Sequence, residues 1–417
     1  MRKVLISAMV GNALEWYDYA LYGQMALILS VLFFPKSDPT VQLLATFGVF
    51  AAGFVVRPLG AILFGWIGDA YGRKAAMTIA VLMMAIPTGC IGLLPTYEQI
   101  GLLAPILLTV IRLLQGLSLG GEFAGSITYI VEHSPPHRRG LAGSASLVSL
   151  NIGFLMGSGV AWLFSTMLSP EDFQSWGWRI PFLFGIVIGF VGFYIRTHCD
   201  ESPVYEKAKE EGTLSKKPVR EAIARHPWEM LQAFGIYLTV TMPFYLSAIY
   251  FVTFTAKNLG RSMSEALLLN AANMMVMLVA FFVSALLSDR IGRRKIMMVM
   301  ALLIFVTVHP LFALFENGDL NTIALVQVAF ALMIGLYIGP VAALLVELFP
   351  TSVRYTGMAI AYNLAAAIFG GTTPMVCVWL IQKTGSNDSI AYYVMLCNVL
   401  SLIALWFYKD RYKEALR

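Results

Sequence analysis

Residues 11–23 read GNALEWYDYALYG, and this stretch decides the fold because it places two carboxylates inside an apolar run. The flanking residues are apolar, and the whole run is long enough to cross a bilayer as a helix. An ionisable side chain at such depth costs roughly 2.5–3.5 kcal/mol even on the mildest scale. Glu15, Asp18, Tyr19 and Tyr22 follow helical spacing and share one face. We expect this face to line a polar cavity inside a helical bundle.

The composition predicts an all-α membrane protein. The chain has 417 residues, of which 58% are hydrophobic and only 13% are charged, whereas about a quarter of the residues of soluble proteins are charged. Apolar sequence begins directly after Lys3 without a small-residue cleavage site, so we expect no cleaved signal. The net charge of +5 lies in short loops and does not indicate nucleic acid as a partner. The four cysteines lack metal-binding spacing, which predicts ordinary packing and no metal site.

Twelve apolar segments predict twelve transmembrane helices. A charged stretch, 199–227, separates six of them from the other six. We therefore expect a six-helix bundle over 1–198, a cytoplasmic linker over 199–227, and a second bundle with a short tail over 228–417. The predicted spans are 4–34, 41–66, 75–95, 100–132, 139–168, 178–198, 228–256, 264–289, 295–316, 321–348, 355–383 and 388–408.

The distribution of basic residues predicts the orientation. Most of the 29 Lys and Arg residues lie at the two termini and in the even-numbered loops. By the positive-inside rule, the N-terminus, the C-terminus and the central linker are cytoplasmic. The exceptions, in or beside odd-numbered loops or inside spans, are Lys36, Arg57, Arg112, Arg179, Lys257, Arg261 and Lys383.

Two motifs occur once in each half of the chain. Residues 65–74 (GWIGDAYGRK) and 285–294 (ALLSDRIGRR) share a small residue, then Asp, Gly and Arg at the same spacing. Residues 132–139 (EHSPPHRR) and 347–354 (ELFPTSVR) share Glu, Pro and Arg. The nearly equal offsets of the two motif pairs predict an internal duplication, and parallel six-helix halves with a site near the midplane are a known transporter architecture.

These motifs carry a family resemblance. Residues 65–74 resemble the signature loop of the major facilitator superfamily, and residues 112–116 (RLLQG) resemble its fourth-helix motif. Ala70 and Ala285 depart from that loop's usual pattern. More narrowly, the chain is similar to the metabolite:proton symporters, which include proline/betaine, shikimate, citrate and 2-oxoglutarate transporters. The stretches that carry this likeness are 11–18, 56–60, 115–122, 176–182 and 348–355.

The resemblance implies a major-facilitator-type fold of two pseudo-symmetric six-helix bundles in the bacterial cytoplasmic (inner) membrane. It further implies alternating access, with a proton as the coupling ion and no cofactor. The expected partners are a small-molecule substrate and the lipid bilayer, without nucleic acid, and we expect the monomer to be functional. No nucleophile–base, nucleotide or metal arrangement is visible in the sequence, so an enzyme is not expected.

Acidic residues near the predicted midplane are the proton-coupling candidates. The helical rise places Glu15, Asp18 and Glu122 at similar depth to Arg57, with Arg112 further out. One arginine cannot neutralise three carboxylates, so we expect at least one acid to be protonated part of the time. We also expect Asp18 or Glu122 to hold Arg57. A static ion-pair cluster, and an Arg112 that reaches the outer interface, remain alternatives.

The expected substrate site combines Arg57 with neutral polar residues of both halves. Because few cations lie in the spans, a zwitterion such as proline or betaine fits better than a di- or tricarboxylate. A monocarboxylate ranks second, and Lys257 could bring further positive charge. Tyrosines could enclose a quaternary ammonium. The candidates are Arg57, Tyr19, Tyr22, Tyr245, Tyr250, Asn270, Asn273, Tyr337 and Asn363.

The duplicated motifs predict a cytoplasmic gate between the halves. An Asp at a helix end can meet the positive N-terminus of another helix, and the motif arginines can pair with motif glutamates. A charged turn that serves only topology is the alternative. The gate candidates are Asp69, Arg73, Glu132, Arg139, Asp289, Arg293, Glu347 and Arg354.

The sequence as a whole therefore predicts a proton-coupled secondary active symporter that imports a small polar metabolite. A proton symporter of a small organic acid and an uncoupled facilitator are the alternatives. A receptor is less consistent with the sequence, because the central segment and the tails are too short for a signalling domain.

Overall fold

The computed structural model describes residues 2–70, 73–132, 134–197, 223–350 and 353–416. These ranges are helical and contain no strand, and all twelve predicted apolar segments lie in helices, here called spans 1 to 12. Most of the predicted linker lies outside the described residues. The division into two six-helix bundles therefore stays a prediction, and "first half" and "second half" denote spans 1–6 and spans 7–12.

Spans 1 to 6 are the helices Arg2–Gln24 with Ala26–Phe33, Pro39–Val55 with Arg57–Ala70, Arg73–Leu93, Leu103–Glu132, Arg139–Met167 and Arg179–Thr197. Spans 7 to 9 are Pro227–Tyr245 continued to Asn258, Met263–Ile291 and Arg293–Asn317. Spans 10 to 12 are Leu320–Ile338 with Val341–Leu348, Arg354–Ala365 continued through Ala366–Gly370 to Thr373–Thr384, and Asp388–Phe407. Short helical pieces at Tyr97–Ile100, Pro136–Arg138, Pro170–Asp172 and Phe173–Gly177 join them.

The lengths and hydropathy of these helices fit a membrane protein. Among the described residues, nine helices are long and apolar enough to cross a bilayer, and the bent pair Pro170–Gly177 and Arg179–Tyr194 makes a tenth. Spans 1 and 3 include stretches whose side chains are not described. Large apolar side chains such as Val279 and Leu325 are mostly exposed on the outside of the bundle, as a lipid-facing surface requires.

Prolines and caps explain where the helices break. Pro58 has no N–H to continue the helix, so span 2 breaks at Val56 and resumes at Arg57. Asp38 begins the same span by accepting hydrogen bonds from the amides of Thr40 and Val41 at 2.8 and 3.3 Å. These two hydrogen bonds lower the pKa of the Asp38 carboxyl. The break in span 2 places Arg57 at a helix start inside the bundle.

The two halves pack against each other along two helix pairs. Span 5 lies along span 8, and span 2 lies along span 11. A Cβ atom at Gly140 would lie 2.7 Å from the carbonyl oxygen of Ala285, so only glycine permits this approach of span 5 to span 8. The helices of the two halves are therefore in close contact, and the functional residues lie between or beside them.

Candidate functional site

At one end of the bundle, charged side chains of the two halves meet in what we call the charged gate, formed by Glu132, Asp289, Arg293, Glu347 and Arg354 around the start of span 5. The Asp289 carboxylate accepts hydrogen bonds from the backbone amides of Gly140 and Leu141 at 2.8 and 2.9 Å. These amides lie in the first turn of span 5, where the helix dipole favours an anion. A second-half carboxylate thus caps a first-half helix.

Two arginines complete the charged gate. Arg293 lies 2.6 Å from Asp289 and 3.1 Å from Glu347, and its side chain is fully buried. Arg354 of span 11 pairs with Glu132 of span 4 at 2.5 Å, again across the two halves. The contacts that cross the halves, from Asp289 to the start of span 5 and from Arg354 to Glu132, must break for this end to open, so they favour the closed arrangement seen here.

The other predicted gate residues have different outcomes. Arg139 lies 3.9 Å from Glu347 and donates a hydrogen bond of 2.8 Å to the backbone carbonyl of Glu414 in the C-terminal tail. The side chains of Asp69 and Arg73, from the first copy of the motif, lie outside the described residues. Their role in the gate stays a prediction.

At the opposite end, a polar clasp of Gln24, Ser158 and Asn270 joins the halves. The amide oxygen of Asn270 accepts hydrogen bonds from Gln24 at 2.9 Å and from Ser158 at 2.6 Å. The Asn270 amide nitrogen donates to the carbonyls of Ser247 and Ala248 in span 7. All three side chains are buried, so the sequence-predicted substrate residue Asn270 closes this end of the bundle rather than lining the cavity below.

Between the two ends lies a central cavity of about 30 Å³, enclosed by both halves. Arg57 is the one charged side chain among its described lining residues. A cavity of this size holds only a water or two, so the structure represents a closed state in which both ends are shut. The lining residues are Trp16, Arg57, Phe123, Leu147, Leu150, Tyr237, Val240, Thr241, Phe244, Tyr245, Phe281, Ile338, Tyr362 and Ala366.

Arg57 is held mainly by aromatic rings. Its guanidinium carbon lies 4.8 Å from the ring centre of Phe54 and 5.2 Å from that of Trp16, and Tyr245 lies beside it. Arg57 is 1% exposed, and its Nε has no acceptor within the described part of the chain. Among the side chains that the structure describes, no carboxylate pairs with it. This buried cation with an unused donor fits recognition of an anionic group.

A second buried charge pair lies inside the first half. Arg112 donates to Asp18 at 2.8 Å, and both side chains are almost completely buried. Arg112 also donates to Gln115 at 2.8 Å, and its guanidinium carbon lies 4.1 and 4.5 Å from the ring centres of Tyr19 and Tyr22. Asp18 is thus bound to Arg112, so the expectation that Asp18 holds Arg57 is wrong. The alternative partner of Arg57, Glu122, stays a prediction because its side chain lies outside the described residues. The physical reason is the rotation of span 1, which turns Trp16 to Arg57 and Asp18 to span 4.

The remaining predicted residues lie in several different places. Tyr245 lines the central cavity with Arg57, and Glu15 is buried at a cavity inside the first half. The side chain of Glu122 lies outside the described residues. Several others make fixed contacts elsewhere: Tyr22 donates to Thr46 O, Asn273 to Gln327, Tyr337 to Ile236 O and Asn363 to Gly120 O, while Tyr250 packs against Phe47 and Phe254.

The sequence reasoning missed several cavity residues. The sequence predicts no role for Trp16, because the acidic face of its helix is the expected functional face. Tyr237 and Thr241 precede the predicted residue Tyr245 at intervals of four on span 7. This spacing places all three on one helical face, so it could have indicated that Tyr237 and Thr241 also line the cavity. No local signal marks Tyr362, which reaches the cavity through the packing of span 11.

Apolar membrane-crossing helices in two sets, with a buried cation between them and closed contacts at both ends, define a membrane transporter. A profile described as "Sugar (and other) transporter" matches residues 3–227, and one described as "Major Facilitator Superfamily" matches residues 233–417. The chain belongs to the major facilitator superfamily, and the resemblance noted from its sequence is confirmed.

Similar proteins cover almost the whole chain. The glycine betaine/proline/ectoine/pipecolic acid transporter OusA of Dickeya dadantii is 34% identical over 100% of this chain and 85% of its own length. The proline/betaine transporter of Salmonella typhimurium is 35% identical over 97% and 82%. The inner membrane metabolite transport protein YhjE of Escherichia coli is 37% identical over 97% and 93%. A crystal structure of a D-xylose-proton symporter has the same fold, with a TM-score of 0.79, 19% identity and coverage of 100% and 99%.

Proposed function

We propose that this transporter imports a zwitterionic metabolite such as proline or betaine together with protons, using Arg57 in the central cavity to bind the substrate carboxylate. The observation that carries the proposal is the buried Arg57 guanidinium, which has an unused Nε donor and no described carboxylate partner. Relatives whose names specify proline and betaine transport support the same substrate class. The second candidate function is proton-coupled symport of a small organic acid.

The chemistry of the cavity wall favours a single negative charge on the substrate. One arginine can take one carboxylate bidentately, but a second buried carboxylate would have no cation among the described lining residues. The other walls present the rings of Trp16, Tyr237, Tyr245 and Tyr362. Aromatic faces attract quaternary ammonium groups, so the cationic end of betaine can be bound without an acidic residue.

We assign proton coupling to the Asp18–Arg112 pair. A proton on Asp18 neutralises the carboxylate and leaves the Arg112 charge buried without its counter-ion, which is costly. Tyr19 connects the Asp18–Arg112 pair with Arg57. The Arg112 guanidinium lies over the Tyr19 ring, and the ring centres of Tyr19 and Phe54 are 5.2 Å apart. Arg57 in turn lies over Phe54. Movement of Arg112 can therefore change the position of Arg57 through these two rings.

Alternating access follows from opening one end at a time. The central cavity must expand to hold proline, so the halves must separate at either the charged gate or the polar clasp. We place the charged gate on the cytoplasmic side, with both termini, because basic residues concentrate there. The remaining parts of the proposal are two bundles over 1–198 and 228–417, function as a monomer, no cofactor, and residence in the bacterial inner membrane.

The experiment is a competition assay on the purified protein in proteoliposomes. We expect proline and betaine to be taken up and to compete with each other, whereas citrate and 2-oxoglutarate compete weakly. Arg57→Gln should lose substrate binding, whereas Arg57→Lys keeps the charge and should keep part of it. Micromolar competition by citrate or 2-oxoglutarate, with none by millimolar proline or betaine, would contradict the zwitterion proposal.

A further inference from the structure

A second, smaller cavity lies entirely inside the first half, between spans 1, 3 and 6. Its volume is about 10 Å³, which is the space one water molecule needs. We call it the first-half cavity. It shares no lining residue with the central cavity. Its lining residues are Glu15, Tyr17, Asp18, Val81, Met84, Ala85, Thr88, Gly185 and Gly189.

Span 1 separates the two cavities. Successive helical residues are about 100° apart, so Glu15, Tyr17 and Asp18 centre on the side of the helix opposite Trp16. The structure agrees, because Trp16 lines the central cavity and the other three line the first-half cavity. Asp18 therefore borders a space that is separate from the central cavity.

The first-half cavity is polar where it meets Asp18. Asp18 is 1% exposed, its Oδ2 accepts a hydrogen bond from Arg112, and the side chains of Thr88 and Gln115 lie beside the carboxylate. Its other oxygen, Oδ1, makes no hydrogen bond of good geometry within the described residues. The Thr88 hydroxyl, on the cavity wall, donates to the Met84 carbonyl and accepts from Gln115. Thr88 retains a second lone pair for a further donor. A water at this position would find the two or more polar partners that a buried water requires.

We propose that the first-half cavity is a hydration site from which Asp18 receives its proton, so that proton and substrate reach the transporter by separate routes. This inference rests on the assignment of Asp18 to proton coupling above. In the step, a hydronium ion gives its proton to Oδ1 of the Asp18 carboxylate, which becomes a neutral carboxylic acid, and a water molecule remains. Arg112 keeps its proton and loses its counter-ion.

The charged and titratable groups near Asp18 are consistent with this route. Arg112 of span 4 faces it, and Glu15, Tyr17, Tyr19 and Tyr22 lie on its own helix. The cavity-lining residues from spans 3 and 6 carry no titratable group. Their side chains are small or neutral and leave room beside the carboxylate. At Gly185 a Cβ atom would lie only 2.6 Å from Thr88 Cγ2, so a larger residue would crowd the cavity wall.

Hydroxyl-radical footprinting of the intact transporter tests the hydration site, because radiolysis of a bound water oxidises the side chains beside it. Met84 lines the first-half cavity and is 3% exposed, whereas Met25 on span 1 is fully buried and lines neither cavity. We expect Met84 to be oxidised at least several-fold faster than Met25. Val81→Ile, which adds one methylene to the cavity wall, should reduce Met84 oxidation to the level of Met25.

Transport measurements on the same variant complete the test. Val81→Ile should slow uptake driven by a pH gradient and leave substrate exchange without a gradient unchanged. Val240→Ile, the matched change in the wall of the central cavity, should impair substrate exchange and leave Met84 oxidation unchanged. Equal protection of Met84 and Met25 would overturn the hydration site, even if gradient-driven uptake is intact. If uptake by the unaltered protein does not depend on the pH gradient, the proposed proton coupling is overturned, whatever the oxidation rate of Met84.

Discussion

Asp289→Asn should open the charged gate. The substitution preserves the shape of the side chain but removes the charge that accepts hydrogen bonds from the first turn of span 5 at 2.8 and 2.9 Å. It also weakens the contact with Arg293, which keeps Glu347 as a partner. The main loss is therefore the bridge between the two halves, and the fold of each half should be preserved.

The magnitude follows from the geometry of this cap. The Asp289 side chain is only 5% exposed, so water screens the contact little. A charge at a partly buried helix terminus contributes about 1–2 kcal/mol, and about 1.4 kcal/mol corresponds to a factor of ten. Asp289→Asn should therefore raise the ratio of open to closed gate roughly 5- to 30-fold.

Cysteine labelling from the side of the charged gate measures this ratio. Thr241→Cys places a thiol in the central cavity, in a background where the four native cysteines are replaced. A membrane-impermeant maleimide should label it about 5 to 30 times faster in the Asp289→Asn variant. Substrate-free protein should be used, so that ligand closure does not compete.

Asp410→Asn is the matched control. Asp410 also accepts a hydrogen bond from a helix-start amide, that of Arg294 at 2.9 Å, but both residues belong to the second half. The control should leave labelling of the cavity cysteine unchanged. An equal increase in both variants, or none in Asp289→Asn, would refute the assignment of Asp289 to a bridge between the halves.

Three further predictions follow from the buried contacts. Asp18→Leu should lower the melting temperature, because Arg112 stays buried without its partner. The double variant Asp18→Leu/Arg112→Met should recover most of that loss without recovering transport. A thermal melt that ranks the double variant lowest would contradict this prediction. Asn270→Ala should speed labelling of the cavity cysteine from the side of the polar clasp by removing hydrogen bonds from Gln24 and Ser158, and unchanged labelling would argue against the clasp. Gly370→Ala would place a Cβ 2.3 Å from the Thr241 hydroxyl oxygen and 2.9 Å from a ring carbon of Tyr245, and it should raise the KM for uptake several-fold at similar expression. An unchanged KM would separate this part of the cavity wall from the substrate.

The sequence predicted the architecture well because membrane-crossing helices have strong signals. Each of the twelve apolar segments lies in a helix, and the second copies of the duplicated motifs, around Asp289 and Glu347, come together at one end. The spacing of charged residues within a motif fixes which groups share a helix end. It also indicated that Asp289 could cap another helix, which is the contact observed with Gly140.

The pairing of buried charges could not be predicted from the sequence. Depth alone placed Asp18 beside Arg57, but the partner depends on how each helix is rotated about its axis and on how closely glycines let the helices approach. Span 1 turns Asp18 to Arg112 and Trp16 to Arg57. The sequence pattern marks only the polar face of span 1 as functional. In the structure both faces of this helix line cavities, Trp16 the central cavity and Asp18 the first-half cavity.

Substrate accumulation at a controlled pH gradient tests the central claim most directly. Proteoliposomes are loaded at one pH, diluted into proline or betaine at a lower pH with the membrane potential held at zero, and followed to steady state. If one proton accompanies each substrate, the internal concentration should exceed the external one by about tenfold per unit of pH difference, since each unit is about 1.4 kcal/mol. Asp18→Asn should reduce this ratio to one while it still equilibrates substrate. A ratio of one in the unaltered protein at every gradient, with uptake intact, would contradict proton-coupled transport.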